Sequence, residues 1–172
     1  MINPAEDIVN IWLQECQNHF TMSNVYVKKK TRIIRGKKVG GGRGKEIDII
    51  STDWKKSYWV EVSVSPRPRL PKKSIKMNLI ISWAADKFDE GKREYLEERF
   101  KGMHFEKWYV YSPKLFSKHS KEQERFCSAL KKRGIKALNF EDILSEVREK
   151  LDYMGYDVTR NYLYLLKMFT YS

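Results

Sequence analysis

The sequence predicts an α/β domain: a mixed β-sheet flanked by helices. Three observations predict it. Short β-branched runs with period-two alternation cluster between residues 24 and 65. Segments with helical spacing of apolar residues lie on either side of them. Beyond residue 100, helices and strands alternate, as in β-α-β units.

The elements follow in order. Residues 4–20 read as a helix, with Val9, Leu13, Cys16 and Phe20 recurring at helical spacing. Residues 24–34 read as a strand and 36–44 as a turn. Residues 45–51 and 57–65 read as two further strands across a polar turn at 52–56. Pro66, Pro68 and Pro71 end that run, because proline cannot continue a ladder. A long helical stretch covers about 73–100, broken near Gly91. A strand at 107–112, a helix at 121–132 ended by Gly134, a strand at 135–138 and a helix from 139 or 140 to 151 follow. Residues 157–169 read as a last helix, whose Tyr162, Leu165, Leu166 and Phe169 have the spacing of packing residues. The 172 residues suit one domain, with a core over about 1–140 and a C-terminal helical extension over about 141–172.

Composition narrows the class. Hydrophobic residues make up 41% and charged residues 33%, a globular rather than a disordered profile. No apolar run is long enough to span a bilayer, and no secretory leader is expected, so the expectation is a cytoplasmic protein without membrane contact. Cys16 and Cys127 are expected to be buried free thiols. His19, His104 and His119 follow no metal-ligand spacing and read as surface or boundary residues. No serine or cysteine has a histidine partner in the sequence pattern, which leaves nucleophilic hydrolase chemistry without support. Trp54 and Trp108 read as packing residues.

The net charge of +12 is concentrated. Residues 28–45 hold nine basic residues and no acid: Lys28, Lys29, Lys30, Arg32, Arg35, Lys37, Lys38, Arg43 and Lys45. Residues 66–76 add Arg67, Arg69, Lys72, Lys73 and Lys76, again with no acid. The rest of the chain has 20 basic against 22 acidic residues, so the whole excess lies in these two segments. A phosphate backbone rewards such a field through Coulomb attraction and counterion release. DNA is the expected partner, including branched or otherwise structured DNA. The alternative is a solvated lysine-rich surface.

Between the two basic segments lie two strands that each carry an interior acid. Side chains alternate between the faces of a strand. Ile47 and Ile49 are expected on one face of their strand and Asp48 on the other. Val60, Val62 and Val64 are expected on one face of the next, with Trp59, Glu61, Ser63 and Ser65 opposite. Two carboxylates on adjacent strands repel each other and call for a cation. A hard divalent ion with oxygen ligands supplies it. On the first helix, Glu6 falls beside Val9 and Leu13, whereas Glu15 faces away.

Helix Glu6, the run Gly44-Lys45-Glu46-Ile47-Asp48-Ile49-Ile50 and the run Glu61-Val62-Ser63 resemble the PD-(D/E)XK, restriction-endonuclease-like superfamily. The 13 positions from Asp48 to Glu61 and the α-β-β-β-α-β order fit that pattern. The glycine-rich loop before the first acidic strand resembles archaeal Holliday-junction resolvases. The resemblance implies a metal-dependent DNA endonuclease in which Asp48, Glu61 and the Val62 carbonyl hold Mg²⁺ or Mn²⁺. Glu6 joins the metal or water shell, and Ser63 lies at the catalytic lysine's usual place. It also implies a homodimer as one arrangement, since family enzymes often reach both strands that way. Serine supplies no positive charge. The resemblance therefore leaves two alternatives open: a lysine such as Lys72, Lys73 or Lys76 on a neighbouring helix replaces it, or the fold binds DNA without cutting. A third reading has the acids as salt-bridge partners on an exposed sheet face. Gly40–Lys45 is no P-loop, since it has Val39 and Glu46 at required positions and precedes a strand.

Overall fold

The computed structural model describes residues 3–28, 32–34, 37–39, 44–64, 77–116 and 120–153, with backbone alone at 32–34, 37–39, 120 and 151–153. The chain begins with helix α1 (Pro4–Ile11), whose Asn3 cap accepts from the Ala5 amide, as four unpaired amides at a helix start require. A π-helical turn, Trp12–Cys16, continues it. Asn18 then takes a left-handed φ of +56°, which ends the helix short of the expected residue 20. Phe20 consequently starts strand β1 (Phe20–Val27) and stands 57% exposed rather than in the helix's apolar stripe.

Two short strands, β2 (Arg32–Ile34) and β3 (Lys37–Val39), pair as a separate antiparallel ribbon. The single strand expected over 24–34 is thus two elements, and the expected turn holds one of them. Strands β4 (Lys45–Thr52) and β5 (Ser57–Ser63) follow. The expected long helix is two helices, α2 (Met77–Asp86) and α3 (Glu90–Arg99). They are separated at Lys87–Asp89 rather than at Gly91, because Asp89 caps α3 by accepting from the Gly91 and Lys92 amides. Strand β6 (Phe105–Tyr111), helix α4 (Ser120–Lys131), strand β7 (Ile135–Asn139) and helix α5 (Phe140–Tyr153) complete the described chain. Asn139 caps α5 through the Glu141 amide. The tail helix expected over 157–169 lies outside the described residues.

The main sheet is mixed, in the order β1-β4-β5-β6-β7. The first three strands form an antiparallel meander, and β5-β6-β7 run parallel. Helical connections over α2, α3 and α4 make those parallel neighbours possible. Each face of the sheet has its own core. One joins Ile49, Val60, Val62 and Val110 to Val9 and Leu13 near the N-terminus and to Ile143 and Val147 on α5. The other joins Ile50, Trp59 and Tyr109 to Ile81, Leu96 and Phe126 on α2, α3 and α4. The result is three layers, helix–sheet–helix.

Alternation holds on β5: Val60 and Val62 pack on the α1/α5 side, and Trp59 packs on the α2–α4 side. On β4 it breaks. Ile49 packs with the α1/α5 core, but Ile47 packs with the other. Between them the β1–β4 register passes from Ser23↔Ile49 to Val25↔Ile47, bracketing Asn24 and Asp48. Asn24 has a left-handed φ of +56°, so the pleat is interrupted at the point where Asp48 sits. Pairing of β4 with β5 runs only from Thr52↔Ser57 to Ile49↔Val60. Asp48 and Glu61 are the next two residues along that register, at the point where it ends.

Of the remaining expectations, Trp108 is a core residue, whereas Trp54 is 82% exposed at a left-handed φ of +71° and touches Phe20 edge-on at 4.8 Å. Cys16 and Cys127 are free thiols, though only partly buried. No described helix is long and apolar enough to cross a membrane.

Candidate active site

Asp48 and Glu61 lie side by side in the interior. Glu61 is fully buried and Asp48 is 7% exposed. Asp48 Oδ2 accepts a 2.7 Å hydrogen bond from the Val62 amide, which occupies a backbone donor where β4 and β5 part. Glu61 Oε1 accepts from the Trp59 indole Nε1 at 2.7 Å and from Lys92 Nζ at 2.6 Å. Glu61 Oε2 accepts no hydrogen bond although it is buried. Lys87 Nζ stands 3.7 Å from that oxygen and 3.5 Å from Asp48 Oδ2. One ammonium therefore faces both carboxylates.

The two lysines differ in setting. Lys92 sits on α3 at the turn before Leu96, and the two are the buried residues of that helix. Its side chain is 5% exposed. Lys87 lies in the turn after α2, with its side chain 36% exposed. The neighbouring Phe88 anchors that turn, edge-on against Trp59 at 4.9 Å. Lys45 on β4 bonds Asp89 at 3.0 Å and ties the start of α3 to the strand carrying Asp48.

The charges shape one another. Burial, then the nearby Asp48, raises the Glu61 carboxyl from an ordinary 4.5 to about 7, against the pull of Lys92 and Trp59. Burial lowers the affinity of Lys87 for its proton, but Asp48 and Glu61 more than reverse that, so its pKa is raised. Glu6 on α1 is half-buried and bonded to Asn3. Its pKa is raised by burial and then by Asp48, which places the third acid within electrostatic reach of the pair.

A stability test follows from the sign of the Glu61 shift. The folded chain keeps this proton between pH 4.5 and about 7, where the unfolded chain has released it. The stabilisation is full below 4.5 and is lost as the pH rises through the folded value. The melting temperature of Glu61→Gln minus that of the native protein is therefore expected to increase from about pH 4.5 to about pH 8. A difference that does not vary with pH contradicts the shift.

The sequence-based site is thus partly assembled. Asp48 and Glu61 converge, and Glu6 senses Asp48. Ser63 ends β5 half-buried, level with Tyr111 on β6. The acids do have lysine partners, but in the interior rather than on an exposed face. Those partners are Lys87 and Lys92, which sequence reading missed. Lys72, Lys73 and Lys76 lie outside the described residues, as do Lys29, Lys30, Arg35, Arg43, Arg67 and Arg69. Arg32, Lys37 and Lys38 fall on the β2–β3 ribbon, and Lys28 and Lys45 are exposed. Among the described residues, no three His, Cys, Asp or Glu side chains gather closely enough to hold a metal ion. The oxygen donors suited to a hard cation are the two carboxylates, among them the buried Glu61 Oε2, which accepts no hydrogen bond and faces only the Lys87 ammonium.

His19 corrects two expectations. It is buried, with its ring stacked on Tyr58 at 4.9 Å, and its Nδ1 lies 2.7 Å from Ser51 Oγ. A serine–histidine contact therefore exists, but Ser51 is 1% exposed and the pair belongs to the interior hydrogen bonding of the sheet.

No protein-family model matches this chain. No curated protein matches it. Among solved structures, it is similar to a crystal structure described as a protein of unknown function, AF1548. The two share 15% identity and a TM-score of 0.46, over 96% of this chain and 95% of that one. At that level the likeness carries no argument about family or chemistry.

Proposed function

We propose that this protein is a metal-dependent DNA endonuclease of the PD-(D/E)XK type. The observation that carries the reading is the convergence of two buried carboxylates from adjacent strands on one cation position, at the point where the strands part. Replacing a buried ion cluster by apolar residues is often neutral or stabilising, so stability alone does not account for one here. A chemical role does.

Asp48, Glu61 and the Val62 carbonyl would hold Mg²⁺ or Mn²⁺. The ion, when bound, polarises a phosphate oxygen and acidifies a water. The chain's own groups do the rest. The Val62 amide and Trp59 indole fix the orientation of the two carboxylates. Lys92 donates to Glu61 and draws its proton affinity back down, against burial and the neighbouring Asp48. Lys87 supplies the positive charge that Ser63 lacks, on a partly exposed side chain able to face a phosphate. Glu6, with its raised proton affinity, is suited to take or hold a proton at the edge of the site. The basic segments 28–45 and 66–76 supply the electrostatic attraction for DNA.

One observation favours a second reading, a DNA-binding module without cleavage: Lys87 and Lys92 already balance the two acids. A single assay separates the readings. Purified protein is incubated with plasmid and with branched DNA, with Mg²⁺, with Mn²⁺ and with chelator. Metal-dependent cleavage supports the endonuclease. Salt-sensitive binding without cleavage under every condition supports the module. Absence of both overturns the two together.

A further inference from the structure

We propose that Lys87 is a resident cation that occupies the shared position between Asp48 and Glu61 in the free protein and is displaced from it by a divalent ion. The inference rests on the nuclease reading and deepens it. Lys87 Nζ is within 3.7 Å of both carboxylates and makes its ion pairs with one oxygen of each. The Glu61 oxygen facing it accepts no hydrogen bond, so the ammonium meets that oxygen by charge alone. The other Glu61 oxygen is held by Lys92 and Trp59, which are buried with it. The cluster thus has a fixed cation and an exchangeable one. Lys92 is enclosed at 5% exposure, but Lys87 is 36% exposed, projects from a turn rather than a helix and has a flexible stem leading to solvent.

Two functions of Lys87 follow from one motion. While it bridges the acids, it offsets their mutual repulsion and competes with metal. Once displaced, it carries its positive charge outward, where a phosphate is approached. Loss of the charge is therefore expected to move two measurements in opposite directions: metal binding tightens while cleavage slows.

The test uses the full chain with Mn²⁺ alone, by titration calorimetry, and DNA cleavage in parallel. Lys87→Met is expected to bind Mn²⁺ at least roughly tenfold more tightly than the native protein. Lys87→Arg, which keeps the charge, is expected to bind no more tightly than the native protein. It also serves as the folded comparison, with melting curves run for each variant. Lys55→Gln, an exposed lysine on the β4–β5 turn, controls for net charge and is expected to leave Mn²⁺ binding unchanged. Asp48→Asn is expected to abolish binding. Native Mn²⁺ binding that is lost in Asp48→Asn yet not tightened in Lys87→Met overturns the resident-cation inference and leaves the metal site standing. Binding in Lys87→Met alone supports it in its strongest form. An absence of Mn²⁺ binding in both native protein and Lys87→Met overturns this inference and the metal-dependent reading together.

Discussion

Glu61→Gln is expected to slow metal-dependent DNA cleavage by about a thousandfold or more, with the fold intact. Charge stabilisation by a metal ion is worth several kcal/mol at a phosphoryl transition state, and each ~1.4 kcal/mol is tenfold in rate. Glutamine keeps the size of the side chain and one carbonyl oxygen, so the Trp59 indole and Lys92 retain an acceptor. What it removes is the negative charge that recruits the cation. Single-turnover cleavage of a labelled substrate measures the effect, and a loss smaller than tenfold contradicts a role for Glu61 at the metal.

Lys92→Met is expected to destabilise the fold increasingly as the pH rises above about 7, where Glu61 gives up its proton in the native protein. Removing one partner of a buried ion pair leaves the other charge uncompensated, a penalty of about 3–5 kcal/mol once that charge is fully formed. Glu61 would remain at zero exposure beside Asp48 with only Lys87 to oppose the two charges. Methionine fills a similar volume, so the cost reads charge rather than cavity. Urea melts of Lys92→Met and of the double variant Glu61→Leu with Lys92→Met measure it. The double variant is expected to recover most of the lost stability, since neither charge is then buried. Equal stability of Lys92→Met and the native protein contradicts the placement of Lys92 in the site.

The parts of this arrangement legible in the sequence were those governed by short-range pattern. Alternation on β5 places Glu61 on the face opposite Val60 and Val62, and the structure has it there. The order of helices and strands after residue 100 follows from periodicity and from Gly134, which adopts the left-handed φ of +70° expected at a helix end. The parts that were not legible depend on single backbone torsions or on tertiary proximity. Asn18 and Asn24 take left-handed conformations that asparagine tolerates but does not announce. The first ends the N-terminal helix early, and the second breaks the alternation around Asp48.

The lysines were hidden for a related reason. Reading the helical stretch over 73–100 as broken near Gly91 places Lys87 within a helix, whereas it projects from the turn between two helices. A signal was present. Asp89, two residues before Gly91 and three before Lys92, is a helix-cap residue in sequence as well as in the structure. A helix starting there puts Lys92 and Leu96 one turn apart on the same side, and a lysine at a core position of an otherwise polar helix needs a buried acid. Glu61 is that acid. His19 and Ser51, 32 positions apart, gave no such signal, because only the packing of β1 against β4 brings them together.

The central claim is that Asp48 and Glu61 share one cation. Anomalous diffraction from crystals grown with Mn²⁺ tests it most directly. A manganese peak bonded to an oxygen of each carboxylate, with Lys87 withdrawn from between them, is the expected result. Lys87 still bridging the two acids at saturating Mn²⁺, with no peak between them, would contradict it.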